Sequence, residues 1–148
     1  MAENSQSSIP PVTPYLAVKD AARAIEFYRR AFGAVEAMRL EENGKISHAE
    51  IRINGAPIYI SDEWPEHEAL SPESVGGSPV MIVLDVPDVA ALFQQAVAAG
   101  AAVSRPLQEG FDGDLRTAKV NDPFGHRWMI TTREDAQAIE TSETRGKR

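Results

Sequence analysis

The chain repeats one order of sequence elements, and this repetition constrains its fold more than any other feature. In the first half an apolar run precedes an amphipathic segment bounded by Asp20 and Gly33, and three β-like runs follow. In the second half another apolar run precedes a helical segment bounded by Asp88 and Gly100, and strand-like pieces follow again. Aspartate is a favoured helix N-cap, and glycine is favoured directly after a helix. The sequence therefore predicts a duplicated β-α-β-β-β unit.

Apolar periodicity supports both predicted helices. In each segment apolar residues recur three and four positions apart, which is typical of a helix with one buried face. The first stripe comprises Ala21, Ala24, Ile25, Tyr28 and Phe32, and the second comprises Val89, Leu92, Phe93, Ala96 and Val97. We expect each stripe to pack against a sheet.

Turn signals divide the chain into segments. Asn43-Gly44 and Asn54-Gly55 predict tight hairpin turns, whereas a connector with two prolines and a Gly-Gly pair predicts a long loop, which is usually functional or disordered. The predicted division is a disordered tail at 1–11, a first module at 12–61, a connecting loop at 62–78, a second module at 79–133 and a polar tail at 134–148. All of these segments belong to one globular domain.

Composition removes several functional classes. The chain has no cysteine, which excludes disulfides, thiolate metal sites and cysteine nucleophiles and suits a reducing cytoplasm. Fifteen Lys and Arg against 22 Asp and Glu give a net charge of -7, which repels nucleic-acid phosphates. No apolar run approaches about 18 residues, and the glycines form no nucleotide-binding fingerprint. We expect a cytoplasmic protein with no nucleic-acid partner, no membrane partner and no cofactor.

The order of the motifs resembles the vicinal-oxygen-chelate superfamily, which includes glyoxalase I, bleomycin-resistance proteins and extradiol dioxygenases. A strand ending in AVKD is followed by IEFYRRAFGA, and the repeat closes with NDPFGHRWMI. Within the superfamily, HAEIRINGAPIYISDE and DPFGHRW are most similar to the PhnB-like branch. The resemblance implies an α+β fold in which two tandem βαβββ modules form curved mixed sheets around a cavity, with helices on the outer faces. It also implies a homodimer, because a second chain commonly completes the cavity.

The resemblance also implies where a metal ion would be held in the metal-dependent members. Those positions correspond here to Thr13, Tyr59, Met81 and Met129. A hydroxyl, a phenol and two thioethers do not supply the carboxylate or imidazole donors that divalent ions require. The sequence therefore predicts that the usual metal site is missing, which argues against the glyoxalase and dioxygenase activities that depend on that ion. A different metal site at His48 and Glu50 is an alternative, but two donors are not a complete ligand shell.

Polar residues on one predicted hairpin form a candidate catalytic site. A two-residue turn at Asn54-Gly55 would pair Ile53 with Ala56, Arg52 with Pro57, Glu50 with Tyr59 and His48 with Ser61. Because side chains alternate across a sheet, His48, Glu50, Arg52 and Ser61 would face the cavity if Tyr59 does. His48 could then act as a general base or a hydrogen-bond anchor, with Glu50 orienting it. The alternative is a polar strand face exposed to water.

Further residues are candidates for contact with a ligand. The predicted ligand-binding set is Tyr15, Arg52, Tyr59, Ser61, Trp64, Met81 and Met129. Tyr15 and the two methionines would line an apolar slot or, alternatively, fill the core. Trp64, together with His67, would form a lid over the opening or only anchor the connector.

Three other positions have less direct interpretations. His126 is expected to be a turn or surface residue, and Trp128 is expected to be a core residue. Arg116 and Arg127 could bind an anion, but single arginines on strands are usually solvated or paired.

Three functional hypotheses follow. The leading one is a metal-independent, dimeric cavity protein that binds a small organic molecule, such as an antibiotic or a metabolite, without transforming it. The second is a lyase or isomerase in which His48 moves a proton and Tyr59 or Arg52 stabilises developing negative charge. The third is a dimeric scaffold whose cavity is filled by its own side chains. Whether the protein is an enzyme stays open at this point.

Overall fold

Each half of the chain folds into a four-stranded mixed sheet with one helix against it. The computed structural model describes residues 12–109 and 116–132. The first module contains β1 (Tyr15–Val18), α1 (Ala21–Phe32), β2 (Val35–Glu42), β3 (Lys45–Ile53) and β4 (Ala56–Asp62). The connector contains a short 3₁₀ helix at Pro65–His67 and the one-turn helix α2 (Pro72–Val75). The second module contains β5 (Met81–Asp85), α3 (Val89–Ala99), β6 (Ala102–Glu109), β7 (Arg116–Asn121) and β8 (Arg127–Thr131).

The two sheets have the same topology. Their strand orders are β1-β4-β3-β2 and β5-β8-β7-β6. In each sheet the first strand pairs in parallel with the last, and the other pairs are antiparallel. This arrangement confirms the predicted α+β class with two tandem βαβββ modules. The tails predicted at 1–11 and 134–148 lie outside the described residues.

The helix boundaries form through the predicted local interactions. The carboxylate of Asp20 accepts a hydrogen bond from the backbone N–H of Arg23 at 3.1 Å, and Asp88 does the same for Ala91 at 3.0 Å. Gly33 ends α1 with a φ of 69°, a left-handed conformation that glycine adopts at little cost. Local sequence was therefore sufficient to place both helices.

The cores of the two modules differ in how completely the helix stripes are buried. Every residue of the predicted α1 stripe is buried. On α3, Val89 and Ala96 are buried and Leu92 and Phe93 are half-buried, but Val97 is 38% exposed. The expectation for Val97 was wrong, because α3 carries apolar residues on most of its faces and only one face can meet the sheet.

The helices also join the two modules. α1 packs against β1, β3 and β4, α3 packs against β6, β7 and β8, and the two helices pack against each other. The side-chain amide of Gln95 on α3 donates hydrogen bonds to the carbonyls of Arg30 and Ala31 at 2.9 and 3.2 Å. We call the helix-free face of each sheet its open face. In the first sheet the open face carries Tyr15, His48, Glu50 and Tyr59, and in the second it carries Lys119, Arg127 and Met129.

A buried carboxylate connects the first module to the second. Asp122 Oδ2 accepts hydrogen bonds from the Tyr28 hydroxyl at 2.5 Å and from the Trp128 indole at 2.9 Å. Its Oδ1 accepts from the backbone N–H groups of Phe124 and His126 at 2.9 and 3.0 Å. Burial, together with the neighbouring Asp122 charge, raises the pKa of Tyr28 well above its usual value. Trp128 is fully buried, as predicted.

The connector is more regular than the predicted loop. Ser71 caps α2 by accepting from the N–H of Ser74 at 3.2 Å, and Glu63 accepts from the N–H of Ser71 at 3.1 Å. Hydrogen bonds from Ser74 and Ser71 lower the pKa of Glu63. A β-bridge between Trp64 and Ala69 closes the 3₁₀ turn. Short-range polar contacts therefore give this segment a defined shape, although its prolines and glycines prevent long elements.

No helix in the described part of the chain combines the length and apolar content needed to cross a membrane.

Candidate functional site

A cavity of about 610 Å³ lies between the first sheet and the connector. Tyr15, Ala17 and Ser61 line it from β1 and β4, and connector residues that include Trp64 line the opposite wall. His126 of the second module lines it as well. This volume falls within the range of about 300–1,000 Å³ that is typical of small-molecule sites.

Three aromatic side chains meet on the open face at the edge of this cavity. The Tyr15 hydroxyl lies 2.8 Å from His48 Nδ1. The ring of Tyr59 lies edge-on to both, with centroid distances of 5.7 Å to Tyr15 and 4.9 Å to His48. Tyr15 and Tyr59 are register partners on neighbouring strands, and Tyr59 also pairs with Glu50. The sheet therefore brings together residues that are far apart in sequence.

The predicted hairpin register is correct at the three pairs nearest the turn. Ile53 pairs with Ala56, Arg52 with Pro57 and Glu50 with Tyr59. The described ladder ends at Ala49 and Ile60, so His48 and Ser61 lie one position beyond it. The alternate residues of this hairpin, which by strand alternation lie on the face opposite Tyr59, are all buried, namely Ala49, Ile51, Ile53, Ile58 and Ile60.

A β-bulge at Ser47 shapes the site in a way that alternation alone does not predict. Leu40 pairs with His48 but Glu41 pairs with Ile46, so Ser47 is an extra residue in β3. Ile46 and Ala49 on either side are buried, whereas Ser47 and His48 are both half-buried and Ser47 lines the cavity. A bulge redirects side chains in this manner. Strand alternation places Ser47 on the same face as Ala49 and Ile51, which is the buried face. A polar residue at such a position was the only sign in the sequence that it lies elsewhere.

The partner of His48 differs from the expected one. Glu50 was expected to orient His48, but its Oε1 lies 3.4 Å from the guanidinium of Arg52. Tyr15 is instead the residue in hydrogen-bond contact with His48. Arg52 is exposed, so this ion pair lies toward solvent rather than at the cavity.

The connector contributes two of the residues considered for a lid. Trp64 and His67 both line the cavity. Trp64 also anchors the connector, because it forms the bridge with Ala69 and its ring lies 5.0 Å from the Lys45 ammonium. Its indole N–H is buried without a hydrogen-bond partner. Trp64 thus both lines the cavity and anchors the connector, two roles that the sequence analysis offered as alternatives.

Met81 and Met129 do not join the other candidates. Both are half-buried in the second sheet, and neither lines the cavity. The physical reason is the packing of α1 on α3, which places the helix-covered faces of the sheets together and leaves their open faces apart.

His126 has a larger structural role than the expected turn or surface residue. It is half-buried, and its Nε2 lies 3.0 Å from the carbonyl oxygen of Ala17 on β1. Its backbone N–H donates to Asp122. The residue therefore links the closing turn of the second module to the wall of the cavity.

The residues at the implied metal positions do not match the ligand chemistry of a divalent ion. Tyr59 lies in the first sheet, Met81 and Met129 lie in the second, and Thr13 precedes β1. Across residues 12–109 and 116–132, no group of three or more His, Asp or Glu side chains is arranged to hold a metal ion. The donors present do not fit such an ion.

Comparisons with known proteins give a consistent result. The family model described as the Glyoxalase/Bleomycin resistance protein/Dioxygenase superfamily matches residues 8–130. The uncharacterized Mycobacterium bovis protein Mb0911c is 46% identical over 125 residues, which cover 82% of each chain. The crystal structure of TioX from Micromonospora sp. ML1 matches with 30% identity and a TM-score of 0.64, over 83% of this chain and 95% of TioX.

Two further structures extend the comparison. The product of the Arabidopsis thaliana gene At5g48480 matches with 26% identity and a TM-score of 0.66, over 83% of this chain and 98% of its own. A PhnB protein from Bacillus cereus matches with 21% identity and a TM-score of 0.59, over 83% and 99% of the two chains, and shares the fold.

Proposed function

The chain belongs to the glyoxalase/bleomycin resistance protein/dioxygenase superfamily, and from this membership we propose that it binds a small organic molecule without a metal ion. The observation that carries the proposal is the cavity of about 610 Å³ beneath the connector. Its size and its mixed apolar and polar lining are those of a site for a drug-sized or metabolite-sized molecule. An unfilled cavity supports this function over a scaffold whose interior is packed by its own side chains.

The lining residues suggest how a ligand would be held. Tyr15, Leu70 and Val75 offer aromatic and aliphatic surface, whose contact with an apolar guest is favoured by roughly 25 cal/mol per Å² removed from water. Ser61 and His67 offer hydroxyl and imidazole groups that would orient polar atoms. The ligand would therefore be amphipathic, with an apolar body and a small number of polar groups.

We further propose a place in the PhnB-like branch and a location in the cytoplasm. HAEIRINGAPIYISDE and DPFGHRW carry the resemblance to that branch. The absence of cysteine suits a reducing compartment.

Thermal-shift measurements test the proposed binding. A panel of antibiotics, aldehyde-glutathione adducts and aromatic acids is screened with the full chain. We expect at least one compound to raise the Tm, because a ligand at 100 times its Kd stabilises the native state by about 2.7 kcal/mol. Tyr15→Ala and Trp64→Ala should weaken that compound's binding by about tenfold or more, which is the loss of about 1.4 kcal/mol of contact free energy.

Val83→Ala is the matched control for these variants. Val83 is half-exposed on the second sheet and does not line the cavity, so its truncation should leave the affinity unchanged. If no compound in the panel shifts the Tm, or if affinity survives both cavity substitutions, the proposed site is wrong.

A second candidate function has one specific observation in its favour. The 2.8 Å contact between the Tyr15 hydroxyl and His48 Nδ1 holds an imidazole in a defined orientation beside the cavity. An imidazole held in this way can accept a proton from a bound molecule, as a lyase or isomerase would require. Turnover of a bound compound that is lost in His48→Ala, with the fold intact, would favour this enzyme, whereas binding without turnover would favour sequestration.

We also propose that the protein is a homodimer. The open faces and edge strands leave large apolar side chains exposed, with Val35 65% exposed and Leu40 54% exposed on β2. A solvent-exposed sheet edge with apolar residues readily pairs with another chain, and a second copy offers the same surface by symmetry.

Light scattering after size-exclusion chromatography tests the dimer. We expect a mass of twice the 16.1 kDa chain at micromolar concentration. Val35→Glu should shift the protein toward the monomer, because a charge would be buried without a partner. Val12→Glu, at an 83% exposed valine outside the strands, is the control and should leave the mass unchanged. A monomeric wild-type protein would contradict the proposal.

A further inference from the structure

Three cationic side chains lie close together on the open face of the second sheet. Arg105 on β6 is the register partner of Lys119 on β7, and Arg127 on β8 is the partner of Asn121. Lys119 and Asn121 are two residues apart on one strand, so they share a face. The intervening Val120 is fully buried on the opposite side. The three cations therefore span three adjacent strands of one surface.

Among residues 12–109 and 116–132, no carboxylate forms an ion pair with Arg105, Lys119 or Arg127. The ion pairs between described residues are all formed by residues in the range 19–73, which covers the first module and the connector. Like charges directly opposite each other on a sheet are destabilising, and the chain as a whole is acidic, with a net charge of -7. The cluster is therefore unusual in two ways: it places like charges opposite each other on a sheet, and it is positive in an acidic protein.

Arg105 is held in place rather than freely solvated. The register shifts on both sides of it, between Val103 and Arg105 and between Arg105 and Gln108. Such irregularities redirect a strand's side chains. Its guanidinium donates a hydrogen bond from Nη2 to the hydroxyl of Thr117 at 2.8 Å. The backbone and this hydrogen bond together hold the guanidinium on the face.

The same face contains polar atoms that the described chain does not satisfy. Arg105 Nε and Asn121 Oδ1 are buried without a hydrogen-bond partner. Trp64 Nε1, in the cavity wall, is the third such atom among the described residues. Buried polar groups are normally paired, and local rules tend to be broken at functional sites. The Arg105 Nε–H is a donor, so the partner that it lacks is an acceptor, which an anion from outside the chain would supply. Asn121 Oδ1 is itself an acceptor and does not contribute to binding an anion.

We propose that this face is a second binding site, which takes a small oxyanion, either a carboxylate or a phosphate group, through Arg105, Lys119 and Arg127. A guanidinium binds such groups through two parallel hydrogen bonds, and a lysine adds a point charge. None of the three residues lines the cavity under the connector. The site is therefore separate from the one proposed for the organic ligand.

Isothermal titration calorimetry on the full chain tests this site, with inorganic phosphate and succinate as probes at constant ionic strength and pH 7. We expect saturable binding of at least one probe, with a Kd of about 1 mM or below. Lys119→Gln and Arg127→Gln should each weaken it by about tenfold, because each removes one of the charges that contact the anion. Circular dichroism confirms that each variant is folded, and either variant alone is sufficient for the test.

Arg23→Gln is the matched control, because Arg23 is an exposed cation on α1 whose side chain forms none of the ion pairs between described residues. It changes the net charge by the same amount and should leave the affinity within about twofold. Equal weakening by Arg23→Gln would show a general charge effect and overturn the site. Absence of saturable binding by both probes would also overturn it. So would variants that dissociate a dimer while retaining phosphate affinity, since the cations would then contact a second copy.

Discussion

Replacing Asp122 with alanine is expected to lower the free energy of unfolding by about 4 kcal/mol, because it leaves three buried donors and one half-buried donor without their acceptor. Two of these donors are the Tyr28 hydroxyl and the Trp128 indole, which lie in the interior where water cannot readily replace the carboxylate. For a chain of this size, the loss corresponds to a fall in Tm of about 8–16 °C. Urea denaturation followed by circular dichroism measures it.

Asp88→Ala is the control for this substitution. Asp88 is also a carboxylate that accepts a backbone hydrogen bond, but it is an exposed N-cap. Its removal should cost about 1 kcal/mol. If Asp122→Ala were no more destabilising than Asp88→Ala, the hydrogen bonds to Asp122 would not hold the two modules together.

A double-mutant cycle with Tyr28→Phe separates the Tyr28 contact from the rest of the network. The phenylalanine removes the hydroxyl that donates to Asp122 and keeps the ring. We expect Tyr28→Phe to cost less in the Asp122→Ala background than in the wild type, since its hydrogen-bond acceptor is already absent. Coupling of about 1 kcal/mol or more between the two positions would support this contact.

Replacing Gly125 with alanine is expected to destabilise the protein by about 3 kcal/mol, through backbone strain and a steric clash. Gly125 has a φ of +92°, and a Cβ at this position would lie 2.7 Å from Cβ of Pro72. Pro72 belongs to α2 and lines the cavity, so the connector must move to accommodate the methyl group. Urea denaturation measures the stability, and the affinity for a ligand found in the thermal-shift screen should fall as well.

Gly44→Ala separates the two contributions. Gly44 has a similar φ of +77°, but nothing lies within 4 Å of the position of an added Cβ. Gly44→Ala should therefore lower the free energy of unfolding only through backbone strain, by about 1 kcal/mol. Equal losses at Gly44 and Gly125 would mean that contact with Pro72 contributes nothing.

Much of the fold could be predicted because its signals are local. Asp20 and Gly33 bound α1 through hydrogen bonds and backbone geometry within a few residues of each position. Asn54-Gly55 forms the expected turn, with both residues at positive φ, and sets the register from Ile53 to Glu50. The alternation of isoleucines on β3 and β4 marked the buried face correctly, because each side chain's direction follows from its parity.

The candidate site was only partly predictable. Tyr15, Ser61 and Trp64 were each proposed as ligand contacts, and all three line the cavity. Their roles in binding stay predictions. The contact between Tyr15 and His48 could not be predicted, because it joins positions 33 residues apart through β4, which lies between their strands. Ser47 was missed because a bulge breaks the two-residue period on which the prediction depended.

The sequence by itself determined the two modules, their helices, most of their buried faces and the absence of metal-ligating residue types at the implied positions, because capping, periodicity and residue chemistry act over short distances. Only the tertiary structure decided how the modules are joined. The packing of α1 on α3 and the hydrogen bonds to Asp122 place the helix-covered faces together. This packing separates Met81 and Met129 from Tyr15, and the connector forms the second wall of the cavity. It depends on contacts between residues distant in the chain, which no local pattern encodes.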